Sequence, residues 1–88
     1  MSSTAILATD LEVVNYGSDY VPSKNGGVAN SLKCTAAGTV ILDTYGLGGI
    51  AGVPGSTNVS VPMIAGEILP CVFVKIHTGS TGSYVALF

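Results

Sequence analysis

Charge is what this sequence has least of. Three of 88 residues are Lys, none is Arg and five are Asp or Glu, so charged side chains make up 9% of the chain, against about 25% in ordinary soluble domains. A chain of this size folds to about 4,800 Å² of accessible surface, which leaves on the order of one charge per 600 Å². Ser, Thr, Asn, Gly and apolar groups must cover the remainder, and contiguous exposed apolar patches usually mark interfaces. The composition therefore points to a subunit of an assembly. The other reading is a neutral secreted β-domain kept soluble by hydroxyls. With Lys24, Lys33 and Lys75 as its only basic residues and a net charge of −2, the chain has little with which to neutralise phosphates, which argues against nucleic-acid binding.

Other shortages exclude further classes. The longest uncharged run, residues 44–66, is broken by Gly, Pro, Ser, Thr and Asn and cannot span a bilayer as a helix. No secretory leader is expected: residues 1–4 carry no positive charge beyond the amino terminus and Ala5–Ala8 is too short an apolar core. Without that context, Asn58-Val59-Ser60 is a formal glycosylation sequon only. A single histidine and two distant cysteines give no metal-ligand spacing. Asp10, Glu12 and Asp19 lack the spacing and glycine of a calcium loop. His77 with Asp43 and Cys34 or a serine makes a triad on paper only, and an ordinary exposed or interface histidine is the expectation. Cys34 and Cys71 fall inside apolar strand patterns and are expected as buried free thiols rather than a disulfide. Gly46-Leu47-Gly48-Gly49-Ile50-Ala51 matches a dinucleotide fingerprint in letters. Gly52, Pro54 and Gly55 follow at once, so no helix can open onto a pyrophosphate. No enzymatic activity and no cofactor are expected.

What is present is β-structure. Twelve glycines and four prolines are scattered among runs rich in Val, Ile, Thr and Tyr, predicting one all-β domain over residues 1–88. Five to seven short strands would form a small, jelly-roll-like β-sandwich or barrel. Residues 1–9 are either a first strand or an arm on a neighbouring subunit. Asp10 to Val13 alternates as a short strand with one wet face. Residues 15–27, with Pro22, three glycines and the Asn25-Gly26 dipeptide, form a loop that packs Tyr16 and Tyr20 on its own domain. Val28–Cys34 and Thr39–Thr44 read as a hairpin about Ala36-Ala37-Gly38. Asn58–Ile64 is a strand that Pro62 places near a sheet edge or a strand end.

Two stretches stand out. Tyr45–Thr57 holds five glycines and one proline in thirteen residues, yet displays Leu47, Ile50 and Val53 with no charge nearby. The final stretch, Val61–Phe88, reads as strand, turn, long strand, turn, strand. Its long strand, Ile68–His77, is apolar on both faces along its first half, as if covered on both sides. Its closing strand, Tyr84–Phe88, ends without a polar tail, so something is expected to cover it.

Gly66-Glu67-Ile68-Leu69-Pro70, an apolar strand ending Lys75-Ile76-His77, the turn Thr78-Gly79-Ser80-Thr81 and the closing Val85-Ala86-Leu87-Phe88 resemble the small spike base proteins of gene transfer agents and related tailed bacteriophages. That family shows an alanine-glycine or proline-glycine opening, a Leu-Pro pair, a basic-ended strand, a Thr-Gly-Thr turn and a final Val-Ala-Leu plus aromatic. Gly38-Thr39-Val40 is similar to its middle region. This sequence departs from it in a shorter turn between His77 and Tyr84, in Cys71-Val72-Phe73-Val74, and in an apparent insertion over residues 46–57. The resemblance implies a virion structural protein, made in the host cytoplasm and seated on the outer capsid surface against the major capsid protein. It also implies a symmetric homo-oligomer at a vertex, pentamer before trimer, that presents a fibre or spike, with no catalytic residues to carry over. A closed ring needs two different complementary patches on each subunit. Leu47, Ile50 and Val53 of the loop and Tyr84, Val85, Leu87 and Phe88 of the terminal strand are the candidates. A trimeric capsid cement protein or a tail or fibre component is the nearest alternative. A secreted carbohydrate-binding module is the alternative of another class, and it would need an aromatic platform from a chain with no Trp and six aromatics.

Overall fold

The computed structural model describes residues 8–46 and 55–88. The chain is a small β-sandwich of two antiparallel sheets. Its strands are β1 (Leu11–Val13), β2 (Ser31–Ala36), β3 (Gly38–Thr44), β4 (Val59–Met63), β5 (Ile68–Leu69), β6 (Phe73–Ile76) and β7 (Ser83–Leu87). The first sheet runs β1-β7-β2-β5 and the second β4-β3-β6. A single 3-10 turn, Asn25–Gly27, interrupts the loop between β1 and β2, and positive φ at Asn25, Gly26 and Gly27 makes it possible.

Each sheet turns one alternate row of apolar side chains inward. Leu32, Cys34, Tyr84 and Ala86 from the first sheet meet Val40, Leu42, Phe73 and Ile76 from the second, all at 0–1% exposure. Complete burial of a large aliphatic or aromatic side chain contributes about 1.5–3 kcal/mol, so these rows hold the layers together. The terminal strand β7 is central, flanked by β1 and β2, and Phe88 is 8% exposed. The apolar end of the chain is thus covered by its own domain. The loop after β1 also packs on its own domain, as expected. Tyr20 exchanges backbone hydrogen bonds of 2.8 and 2.9 Å with Ile76, and Ala29 exchanges bonds of 3.0 and 3.1 Å with Phe73, so the outer edge of β6 is closed.

Two sequence expectations are corrected. β2 and β3 are not a hairpin; they belong to different sheets. One residue, Ala37, separates them, too few for the two-residue turn of a tight hairpin. Gly38 sits so close to the backbone of Thr81 and Gly82 that a Cβ would collide with it. The chain turns a corner there, and the two inner rows face each other across the core. The long strand Ile68–His77 is also two strands, one in each sheet. Pro70 has no N–H for a ladder, Cys71 donates back to Leu69 O at 2.9 Å, and the chain crosses between layers at residues 70–72. Its first half is not covered on both sides: Ile68 is 42% and Val72 38% exposed. A register shift opposite Asp43 and Thr44 lets Phe73 and Ile76 both face inward although three positions apart.

β4 is an edge strand, in keeping with Pro62. Pro62 lies opposite Thr39, whose own N–H and C=O turn the other way to Thr81, so its missing N–H costs the ladder nothing.

Candidate functional site

Among the described residues seven large apolar side chains stand exposed, and three of them, Leu11, Val13 and Ile68, lie together on the outer face of the first sheet; Val21, Tyr45, Ile64 and Val72 lie elsewhere. The register places Leu11 beside Leu87 and Leu87 beside Ser31; the next outward row is Val13, Val85, Lys33 and Ile68. Leu11 is 57% and Val13 70% exposed, Val85 and Leu87 are half-buried, and Lys33 is the one charged side chain in the two rows. This overturns the expected wet face of the first strand: in β1 the aliphatic residues stand in solvent while Glu12 turns to the other side. Glu12 does so because the loop behind it supplies donors. Tyr20 Oη donates to Glu12 Oε1 at 2.6 Å and Ser23 N–H at 3.0 Å, while the Ser23 hydroxyl donates to Oε2. The hydrogen bonds from Ser23, first its hydroxyl and then its N–H, hold the Glu12 carboxyl at a pKa of about 2, with Tyr20 adding to the effect. Burial, and then the Glu12 carboxylate, push the Tyr20 phenol up.

The edge of β1 is distinct from that of β4. Phe88 N–H donates to Asp10 O and Val14 N–H to Tyr84 O, so residues 10, 12 and 14 turn their backbone groups towards β7. The groups of Leu11 and Val13 point the other way, off the edge of the sheet. Leu11 N–H is capped by Asp10 Oδ1 at 2.8 Å; Asp10 in turn pairs with Lys24 at 3.4 Å. Beyond the strand lies an open hollow of about 350 Å³, lined by the chain from Val13 to Gly17 and by Gly82 and Ser83. The hollow is shaped by Tyr16, whose hydroxyl donates to Gly82 O and whose ring lies 6.4 Å from that of Tyr84. Burial raises the Tyr84 phenol to about 12, helped by the neighbouring Cys34 and Tyr16.

Of the residues expected at an interface, the terminal strand divides in two. Tyr84 and Phe88 point into the core of their own subunit, whereas Val85 and Leu87 lie on the outer face beside Val13 and Leu11. Leu47, Ile50 and Val53 lie outside the described residues. Leu11 and Val13 are the residues that sequence reasoning missed. The available signal was the Val13-Val14 doublet, two apolar residues in succession that leave the strand's inward parity open.

The polar residues weighed for chemistry are dispersed. His77 Nε2 and Asp43 Oδ1 lie 2.7 Å apart, and Asp43 Oδ1 also accepts the Asn58 N–H at 2.9 Å. Burial opposes the Asp43 charge, but His77 and the Asn58 N–H outweigh it and hold the carboxyl below its usual range. Cys34 does not join them: it is fully buried in the first sheet, its thiol directed at Ala36 O at 3.2 Å. Cys71, expected buried, is half-buried where the chain crosses between sheets, and both thiols are free. Lys75 pairs with Asp19 at 3.5 Å. Among the described residues no three His, Cys, Asp or Glu side chains converge on a possible metal position, and no helix is long and apolar enough to cross a membrane. Comparison with protein-family models, with curated proteins and with solved structures finds no match to the chain.

Proposed function

We propose that this protein is a structural virion subunit, a capsid spike base or head-decoration protein that works by shape and burial as a homo-oligomer. The observation that carries the reading is the outer face of the first sheet. Leu11, Val13 and Ile68 stand 57, 70 and 42% exposed there, in a chain with only eight charged side chains. An exposed apolar face of this kind is what an assembling subunit covers. The resemblance of Gly66–Phe88 to spike base proteins supplies the virion context, with the capsid surface and a fibre or spike as partners. The trimeric cement protein and the tail or fibre component differ from it in copy number and seat.

Carbohydrate binding by a secreted module has less support. Five of the six aromatics are buried or half-buried, leaving Tyr45 alone in the exposed class, so no stacking platform forms. Native mass spectrometry of the purified protein tests the proposal. Five copies support the vertex seat, three copies favour the cement or fibre form, and a monomer at every concentration removes the reading. Selective binding on a glycan array would put the carbohydrate module in its place.

A further inference from the structure

We propose that β1 is the docking edge for a second copy of this chain, paired antiparallel about a two-fold axis at Val13, with Leu11 of each copy seated in the hollow of the other. The inference rests on the self-association in the previous reading and not on the virion.

The backbone sets which registers are allowed. Only odd-numbered residues turn their groups off the edge, because Asp10 and Val14 bond to β7 and Glu12 pairs with Ala86. Three two-fold registers centred on β1 satisfy that parity, and one of them, with the axis at Leu11, turns on the Leu11 N–H that Asp10 already caps at 2.8 Å. An axis at Glu12 would set Glu12 directly against Glu12 of the other copy, and like charges opposite one another destabilise a strand pair. It would also require the Leu11 N–H, which Asp10 already caps at 2.8 Å. An axis at Val13 avoids the like charges and centres the ladder on a pair that does not need the Leu11 N–H. The two Val13 residues exchange their N–H and C=O groups, and the Asn15 N–H of each copy reaches the Leu11 C=O of the other.

The side chains fit the same register. With the axis at Val13, Leu11 of one copy falls opposite Asn15 of its partner, on the same face. Asn15 is part of the lining of the open hollow of about 350 Å³. Knob and hole stand on one strand four positions apart, and a two-fold axis midway brings each knob to the other's hole. Such self-complementarity is the mark of an isologous contact. Charge points the same way. Asp10 is paired with Lys24 and the Glu12 carboxylate is tied behind the strand to Tyr20 and Ser23, so Leu11 and Val13 present an apolar face with little for a charged partner to select. Of the other edges, β4 carries Pro62 and β5 is only two residues long, and both are thereby blunted against such pairing.

A standard interface takes about 800 Å² from each partner, roughly a sixth of the 4913 Å² surface. A three-residue strand and its hollow supply less, so the dimer is expected with a Kd of about 1 μM or weaker.

The test is site-directed cross-linking of the full chain in a Cys71→Ser background, with sedimentation equilibrium alongside. Directly opposed residues of this kind have Cα atoms about 5.5 Å apart, within disulfide range. Val13→Cys is therefore expected to form a covalent dimer under mild oxidation, well ahead of a control cysteine at the exposed Thr57. In the otherwise unaltered chain, Leu11→Glu should raise the dimer Kd by about tenfold or more. Equal cross-linking at residues 13 and 57, or an unchanged Kd for Leu11→Glu, overturns the contact. An assembly of three or five copies indifferent to Leu11→Glu would refute the β1 contact while leaving self-association standing. A monomer throughout refutes both.

Discussion

On the inner face of the first sheet, Val14, Tyr84, Cys34, Ala86 and Leu32 lie between 0 and 7% exposed, while on its outer face Leu11, Val13 and Ile68 stand 57, 70 and 42% in solvent. The two rows are drawn from the same aliphatic and small residues, and strand alternation alone does not tell them apart. What separates them is what stands opposite. The inner row meets Val40 and Leu42 of β3 and Phe73 and Ile76 of β6; among the described residues the outer row has no second sheet over it. Apolar patterning thus marks both faces alike, and only the position of the second sheet tells the domain core on one side from the candidate interface on the other.

That contrast can be broken from either face, and the largest effect belongs to the inner one. Tyr84→Ala removes a ring that is 1% exposed, together with the hydroxyl that donates to Thr81 O at 2.5 Å. It should cost about 3–5 kcal/mol of stability, read as a lower urea midpoint. Ser31→Ala should act in the opposite direction. Ser31 belongs to the outer row by register yet is 1% exposed, and its hydroxyl finds no partner among the described residues. Removing that buried hydroxyl should stabilise the fold by about 1 kcal/mol, raising the melting temperature.

Glu12→Gln gives a smaller, pH-dependent effect. Folding lowers the Glu12 pKa from 4.5 to about 2, so the charged form is favoured in the native state. Its contribution is complete above pH 4.5 and disappears as the pH falls towards 2. The variant should be less stable than the parent at neutral pH, with the gap between their melting temperatures closing through that acid range. Solvent screening keeps the gap modest. Leu11→Thr comes last. At 57% exposure it should change stability by no more than about 0.5 kcal/mol, which denaturation of the dilute monomer would verify. A large loss there would mean that the outer row serves the subunit's own fold.

Much of the architecture was legible in the sequence. The all-β class, the strand at Thr39–Thr44, the edge position of the Pro62 strand and the packing of Tyr20 on its own domain all follow from local chemistry. Sheet membership was not legible. Ala36-Ala37-Gly38 looks like a hairpin turn until Thr81 and Gly82, more than forty residues on, crowd Gly38 and turn the corner. The break at residues 70–72 was masked because β5 and β6 are both apolar and Pro70 reads equally as a strand residue. The site was hardest to see. That Glu12 lies on the opposite face of β1 from Leu11 and Val13 depends on Tyr20 and Ser23, donors that a loop delivers from eight and eleven positions later.

The place of β7 at the centre of the first sheet sets an order of events during synthesis. β3 and β4 are neighbours in sequence and can pair early, but β1 and β2 have no bond to one another and wait for a strand seventy residues downstream of β1. Until Ser83–Leu87 leaves the ribosome, two strands of that sheet are unclosed and their inner rows are bare. Pairings this distant in sequence form slowly, and the interval leaves the nascent chain open to association with its neighbours. The strand that completes the subunit is thus also the one that ends its vulnerability.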